Sequence, residues 1–181
     1  MEKPVKWATL ASAYLEKNPY LSLRRDTRTA PGFGPHDFFI LEFPDWVNVV
    51  AVTEEGQAVL VRQFRQGLAE VTLEIPGGVV DPGEEPGQAV RRELLEETGY
   101  APREIRLLTA VRVNPAIQGN RCHLFLALGC QIKGAQALEG TESIRVELVL
   151  LDALAGLMAR GEIDHSLNCL ALHLALRYLG K

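Results

Sequence analysis

A chain of 181 residues is long enough to bury a core and short enough to be one domain. Its 47% hydrophobic content suits a globular protein, and a net charge of −4 without long basic runs argues against a nucleic-acid-binding surface. Met1 to Lys6 is charged with no apolar h-region behind it, and no stretch is long and apolar enough to span a bilayer, so neither a secretory signal nor a membrane partner is expected. Cys122, Cys130 and Cys169 are odd in number and lack metal-type spacing; they read as free thiols of a reducing cytoplasm.

Along the chain, Trp7 to Lys17 fits a strand or a helix, and Leu21 to Thr29 suggests a strand. Pro31-Gly32-Phe33-Gly34-Pro35 is turn material, and His36 to Phe43 reads as a strand. Val47 to Thr53 and Ala58 to Phe64 are β-rich runs joined by the hairpin signal Glu54-Glu55-Gly56-Gln57. Val71 to Ile75 is a short strand leading to a turn at Pro76-Gly77-Gly78. Pro86 suits the first turn of a helix and Gly99 its C-cap, which predicts a helix over Pro86 to Thr98. Strands follow at Glu104 to Val113, Cys122 to Gly129 and Ile144 to Leu151. A two-turn helix capped by Asp152 ends near Gly161. His165 to Leu179 reads as an amphipathic helix whose apolar residues include Leu167, Leu170, Leu174 and Tyr178. Strand runs interleaved with a few helices give an α+β class. Residues 1–43 form an N-terminal β extension and 44–181 the main domain.

Chemistry concentrates in Gly78 to Tyr100. On the predicted helix Glu93, Glu96 and Glu97 are related by i+3 and i+4 steps, so they share an arc of roughly 100°. Carboxylates so close repel one another, and a hard cation such as Mg²⁺, which prefers oxygen ligands, relieves the repulsion. Arg92 can brace one of them through a bidentate pair. The full pattern is Gly78, five residues, Glu84, seven residues, Arg92-Glu93-Leu94, one residue, Glu96-Glu97, one residue, Gly99-Tyr100. This spacing resembles the signature box of the Nudix hydrolases at every fixed position.

The likeness extends over roughly Val47 to Leu179. Val61-Arg62-Gln63-Phe64-Arg65, Leu73 to Gly78, and Asn114-Pro115 are similar to segments of the ADP-ribose and nucleoside-diphosphate-sugar pyrophosphatase branch. The resemblance implies an α/β/α sandwich around a mixed sheet and Mg²⁺-dependent hydrolysis, with Mn²⁺ as a substitute, of a nucleoside diphosphate linked to a sugar. Carried over by position, Glu93 and Glu97 are metal ligands, Glu96 is a direct or water-mediated ligand, and the Gly77 carbonyl also reaches a metal. Arg92 orients a catalytic carboxylate. The general base is a box glutamate, Glu139 or Glu142, with Glu142 favoured.

Arg65 matches a phosphate-contacting arginine. Glu74 either meets a ribose or base or points to solvent. Phe38, Phe39 and Trp46 are candidates for stacking on a base. Pro115 stands where the branch places a substrate-loop proline, yet its surroundings lack the serine-proline-glycine wording of many ADP-ribose pyrophosphatases, which widens the choice of nucleotide sugar. His123 and His165 show no partner pattern and read as structural. The branch is usually dimeric through N-terminal strands. Rival readings are a nucleotide-pool cleaner, a dinucleoside polyphosphate hydrolase and a non-catalytic sensing module; the last is disfavoured because every box acid is retained.

Overall fold

The structure, a computed structural model, describes residues 3–138 and 140–181. The described chain forms two compact units, one reaching to Pro44 with Arg112–Asn120, the other Asp45–Val111 with Arg121–Lys181.

The first unit carries an antiparallel sheet of β1 (Ala8–Lys17), β2 (Ser22–Ala30) and β3 (Phe33–Glu42), in that order. The segment left open between strand and helix is therefore a strand. The turn is shorter than expected: Pro31 and Gly32 make it, and Phe33-Gly34-Pro35 already belongs to β3. Pro35 is tolerated because β3 is an outer strand and its pairing skips from Arg28↔His36 to Ala30↔Phe33 beside the proline. Phe38 packs edge-on to Trp7 with ring centroids 5.2 Å apart, which gives it a structural role in this sheet.

At the centre of that sheet Asp26 is 1% exposed. It accepts hydrogen bonds from Arg24 Nε (2.8 Å), Arg28 Nη2 (2.7 Å) and Ser12 Oγ (2.7 Å). The Arg24 contact is the main reason its carboxyl lies well below the usual range. Asp26→Asn is expected to lower stability by about 2 kcal/mol in urea unfolding at pH 7, since charge-assisted bonds are lost beneath a thin sheet. The folded carboxyl titrates below its unfolded value near 4, so this contribution is intact above about pH 4 and fades as the pH falls further. The difference between wild type and variant should therefore shrink toward pH 2.

The second unit is built on a mixed sheet. Its path is β11 (Ile144–Leu150), β5 (Gln57–Arg65), β4 (Trp46–Thr53), β10 (Arg121–Ile132) and β8 (Tyr100–Ala101). Three further strands lie off this path, β6 (Glu70–Glu74) on β5, β7 (Gly77–Val79) on β4 and β9 (Glu104–Arg112) on β10. β4 and β10 run parallel, whereas β4–β5, β5–β11 and β5–β6 are antiparallel. Val47, Val49 and Ala51 of β4 pack with Ala89, Val90 and Leu94 of helix α1 (Pro86–Thr98). Val50 and Val52 alternate to the opposite face, and α3 (Ser166–Tyr178) packs on β4 and β10. The α+β class and the layered mixed sheet are thus as expected.

Three local readings change. Gly77 and Gly78 are not a turn; they pair as β7 with Asn48 and Val47. Asp152 lies within the first turn of α2 (Leu151–Ala159), whose cap position is Leu150. In α3 the inward face is Leu167, Asn168, Ala171, Leu172 and Ala175, whereas Leu170 and Tyr178 are exposed. The stripe is rotated because Asn168, a polar residue, is drawn inside by a hydrogen bond to the backbone N–H of Ile75.

Candidate active site

α1 has the bounds expected from its sequence. The Glu85 N–H donates to Gln88 Oε1 (3.2 Å) in its first turn, and Gly99 ends it at φ 75°, a left-handed conformation that suits glycine. The helix presents Arg92, Glu93, Glu96 and Glu97 toward β7.

Arg92 is the hub. Its Nε and Nη2 grip Glu84 Oε1 and Oε2 (3.1 and 2.9 Å), Nη1 donates to Glu93 Oε1 (2.9 Å) and Glu96 Oε2 (3.1 Å), and Nη2 also reaches the Val79 carbonyl (3.0 Å). The bidentate partner is therefore Glu84, whose spacing eight positions before Arg92 was the available signal. Glu93 and Glu96 receive single bonds that fix their direction.

Glu97 faces the sheet and is 4% exposed. The Gly77 N–H donates to its Oε2 (2.9 Å). Burial, reinforced by repulsion from Glu93 and Glu142, pushes its carboxyl up to about 8 against the pull of the Gly77 N–H and Arg65. Burial also raises Glu93. The two glycines permit this closeness. A side chain at Gly77 would collide with the Val47 carbonyl and Asn48, and one at Gly78 with the Glu93 carboxylate.

The donor set suits a divalent cation, being three acidic oxygen ligands on one helix face, two of them in surroundings that disfavour bare negative charge. Among the described residues no three His, Cys, Asp or Glu side chains already stand in ligating arrangement. Arg92 holds Glu93 and Glu96, while Glu97 turns to Gly77.

A cleft of about 570 Å³ opens over β7. Gly77 and Gly78, Trp46, Arg65, Glu74 and His165 are among its lining residues. Arg65 donates from Nε and Nη2 to Glu74 Oε1 and Oε2, both at 2.7 Å, and Thr72 Oγ1 donates to Glu74 Oε1 (2.6 Å). Glu74 is 3% exposed, so the solvent-facing alternative does not apply. Phe39 and Pro115 belong to the other unit and are not among the lining residues.

Glu142 is exposed on the segment before β11, and its charge acts on Glu93, Glu97 and Arg65. Glu139 lies outside the described residues. Gln136 Nε2 donates to both the Glu97 carbonyl (2.5 Å) and the Ile144 carbonyl (3.1 Å), which ties this segment to the end of α1. His123 binds Asp45 (3.0 Å) and is structural. Cys122 and Cys130 are buried, and burial pushes their thiols up to about 12 and 11. Asn48, which accepts from the Cys122 thiol (3.0 Å), and Ser166 also line the cleft and escaped sequence reading. An amide in the interior of the valine-rich β4 was the signal for Asn48.

The family model described as NUDIX domain matches residues 43–167. The chain belongs to the Nudix hydrolase family. It is 37% identical over 127 residues to an ADP-ribose pyrophosphatase of Bacillus subtilis (strain 168), covering 69% of each chain. It is 28% identical over 170 residues to an ADP-ribose pyrophosphatase of Mycobacterium tuberculosis (strain ATCC 25618 / H37Rv), covering 91% of this chain and 82% of that one. A crystal structure described as an ADP compounds hydrolase superposes with a TM-score of 0.88 over 99% of this chain and 97% of its own, at 17% identity, a likeness of fold. Nudix hydrolases generally use a divalent metal, which the box acids of this chain suit.

Gly78→Ala tests the close packing of helix and strand. The three nearest atoms to the new methyl all belong to the flexible end of Glu93, so the fold should hold, with the melting temperature within a few degrees. The displaced carboxylate should lower turnover about 100-fold, as expected for a small misplacement of a site group. Thermal melts and kcat measured on the same preparation check both parts.

Proposed function

We propose that this Nudix hydrolase cleaves the diphosphate of a nucleoside diphosphate linked to a sugar, ADP-ribose or a related nucleotide sugar, in the presence of Mg²⁺. The products are a nucleoside monophosphate and a sugar phosphate. One observation carries the reading. Glu97 and Glu93 abut Gly77 and Gly78, and the same glycines line a cleft walled by the Arg65–Glu74 pair. The acidic donor set thus backs the same glycine strand that lines the cavity of a phosphate-seeking guanidinium. The relatives named ADP-ribose pyrophosphatase support the substrate class.

Glu93, Glu96 and Glu97 would hold the metal, which when bound neutralises the diphosphate and lowers the pKa of a water. Arg92 keeps Glu93 and Glu96 oriented before substrate arrives. Arg65 spends two N–H groups on Glu74 and retains others for a phosphate oxygen. Trp46 offers a ring face to the base or ribose. Glu142, whose charge is felt by Glu97, is the general base on this reading. The same reading makes the protein a cytoplasmic homodimer, with residues 1–43 as the dimerising β extension; exposed Tyr14, Phe33 and Phe39 support that use.

A screen of ADP-ribose, ADP-, GDP- and UDP-sugars, dinucleoside polyphosphates and oxidised nucleotides with Mg²⁺ and coupled phosphatase tests the assignment. ADP-ribose or a nucleotide sugar should lead. Glu97→Gln should nearly abolish turnover with the fold retained, and Glu142→Gln should cut kcat by about 10²–10⁴. Near-wild-type turnover in Glu97→Gln would overturn the metal role, and in Glu142→Gln the base role.

A further inference from the structure

The cleft has a second wall, made by Asp164, His165 and Ser166 at the start of α3. Behind it stands a relay that begins at a backbone group. The Ile75 N–H is buried and can only donate, so it needs an acceptor. It finds Asn168 Oδ1 at 2.8 Å, 93 positions away in the chain. Asn168 is 0% exposed. With its oxygen committed to Ile75, the amide turns its nitrogen toward His165, and Asn168 Nδ2 stands 2.8 Å from His165 Nδ1. An amide nitrogen only donates, so Nδ1 accepts and the ring proton resides on Nε2. His165 is exposed at the cleft, and no described residue takes that Nε2 proton. Arg65 and its partner Glu74 line the same cleft as His165.

We propose that His165 is a substrate-binding residue whose Nε2–H donates to an oxygen of the nucleotide sugar's phosphate–ribose portion beside Arg65, and that Asn168 is the positioning residue that fixes this tautomer. The ligand class rests on the function proposed above. The tautomer follows from the protein alone. Neither residue belongs to the box, and the relay assigns work to a histidine whose sequence surroundings read as structural.

The test combines ¹⁵N NMR of the imidazole with kinetics and binding. In wild type the spectrum should show Nε2 protonated and Nδ1 bare. Asn168→Asp keeps an acceptor for Ile75 but removes the donor facing the ring, and Nδ1 should then become protonated. His165→Ala should raise KM for ADP-ribose about fivefold with kcat within twofold, the loss of one net hydrogen bond. His165→Gln, which returns an amide N–H near the Nε2 position, should restore KM to within twofold of wild type. Equal KM in Ala and wild type, equal loss in Ala and Gln, or a wild-type proton on Nδ1 would each overturn the inference. Calorimetry of ADP-ribose with Ca²⁺ in place of Mg²⁺ reads binding without turnover. A wild type that binds ADP-ribose with Ca²⁺ yet hydrolyses neither it nor another nucleotide sugar with Mg²⁺ would sink the functional reading, whereas an unchanged Kd in His165→Ala would sink this one.

Discussion

Four carboxylates, Glu84, Glu93, Glu96 and Glu97, crowd around one end of a helix and a short strand, and one guanidinium, Arg92, answers three of them. Two like charges about 6 Å apart near a protein surface cost roughly 3 kcal/mol, so the cluster is unfavourable without its cation. One positive charge cannot balance four negative ones. Glu97, the most buried, bears the cost: burial first, and repulsion from Glu93 second, raise its carboxyl to about 8. Its position is fixed by the Gly77 N–H, and Gly77 is fixed by pairing with Asn48 of β4. The helix, the glycine strand and the sheet centre are therefore held in register by a charge arrangement that favours an incoming divalent ion.

The cleft wall solves the opposite problem. On the proposed function, Arg65 offers charge to a phosphate without collapsing onto the box acids. Glu74 holds its guanidinium by a two-pronged bond, with Thr72 steadying the carboxylate. Such pairing fixes the guanidinium plane and lessens the ordering cost that a free arginine would meet on binding.

What could be read in the sequence depended on how local its causes were. The helix Pro86–Thr98 was legible because a proline, a run of helix formers and a left-handed glycine act within one segment. The inward face of α3 was not, because Asn168 is buried by a bond to Ile75, far away in the chain. Gly77-Gly78 carried a turn signal that tertiary pairing overrode: the glycines serve close approach to Val47, Asn48 and Glu93 rather than chain reversal. The box acids were legible from spacing. Glu84 as the main partner of Arg92, and the relay through Asn168, required knowing which surfaces meet. Glu74 was open between two orientations until its pairing with Arg65 decided it.

Gln136 has a consequence for how a loop acid is delivered. By bonding the carbonyls of both Glu97 and Ile144, its side chain holds the two ends of the stretch 136–144 together beside the last turn of α1. Glu142 lies two residues before the held Ile144, and its charge reaches Glu97. For a carboxylate acting as the proposed base, a tether of this kind would raise its effective molarity at the site, with the entropy of bringing it there met during folding rather than in each turnover.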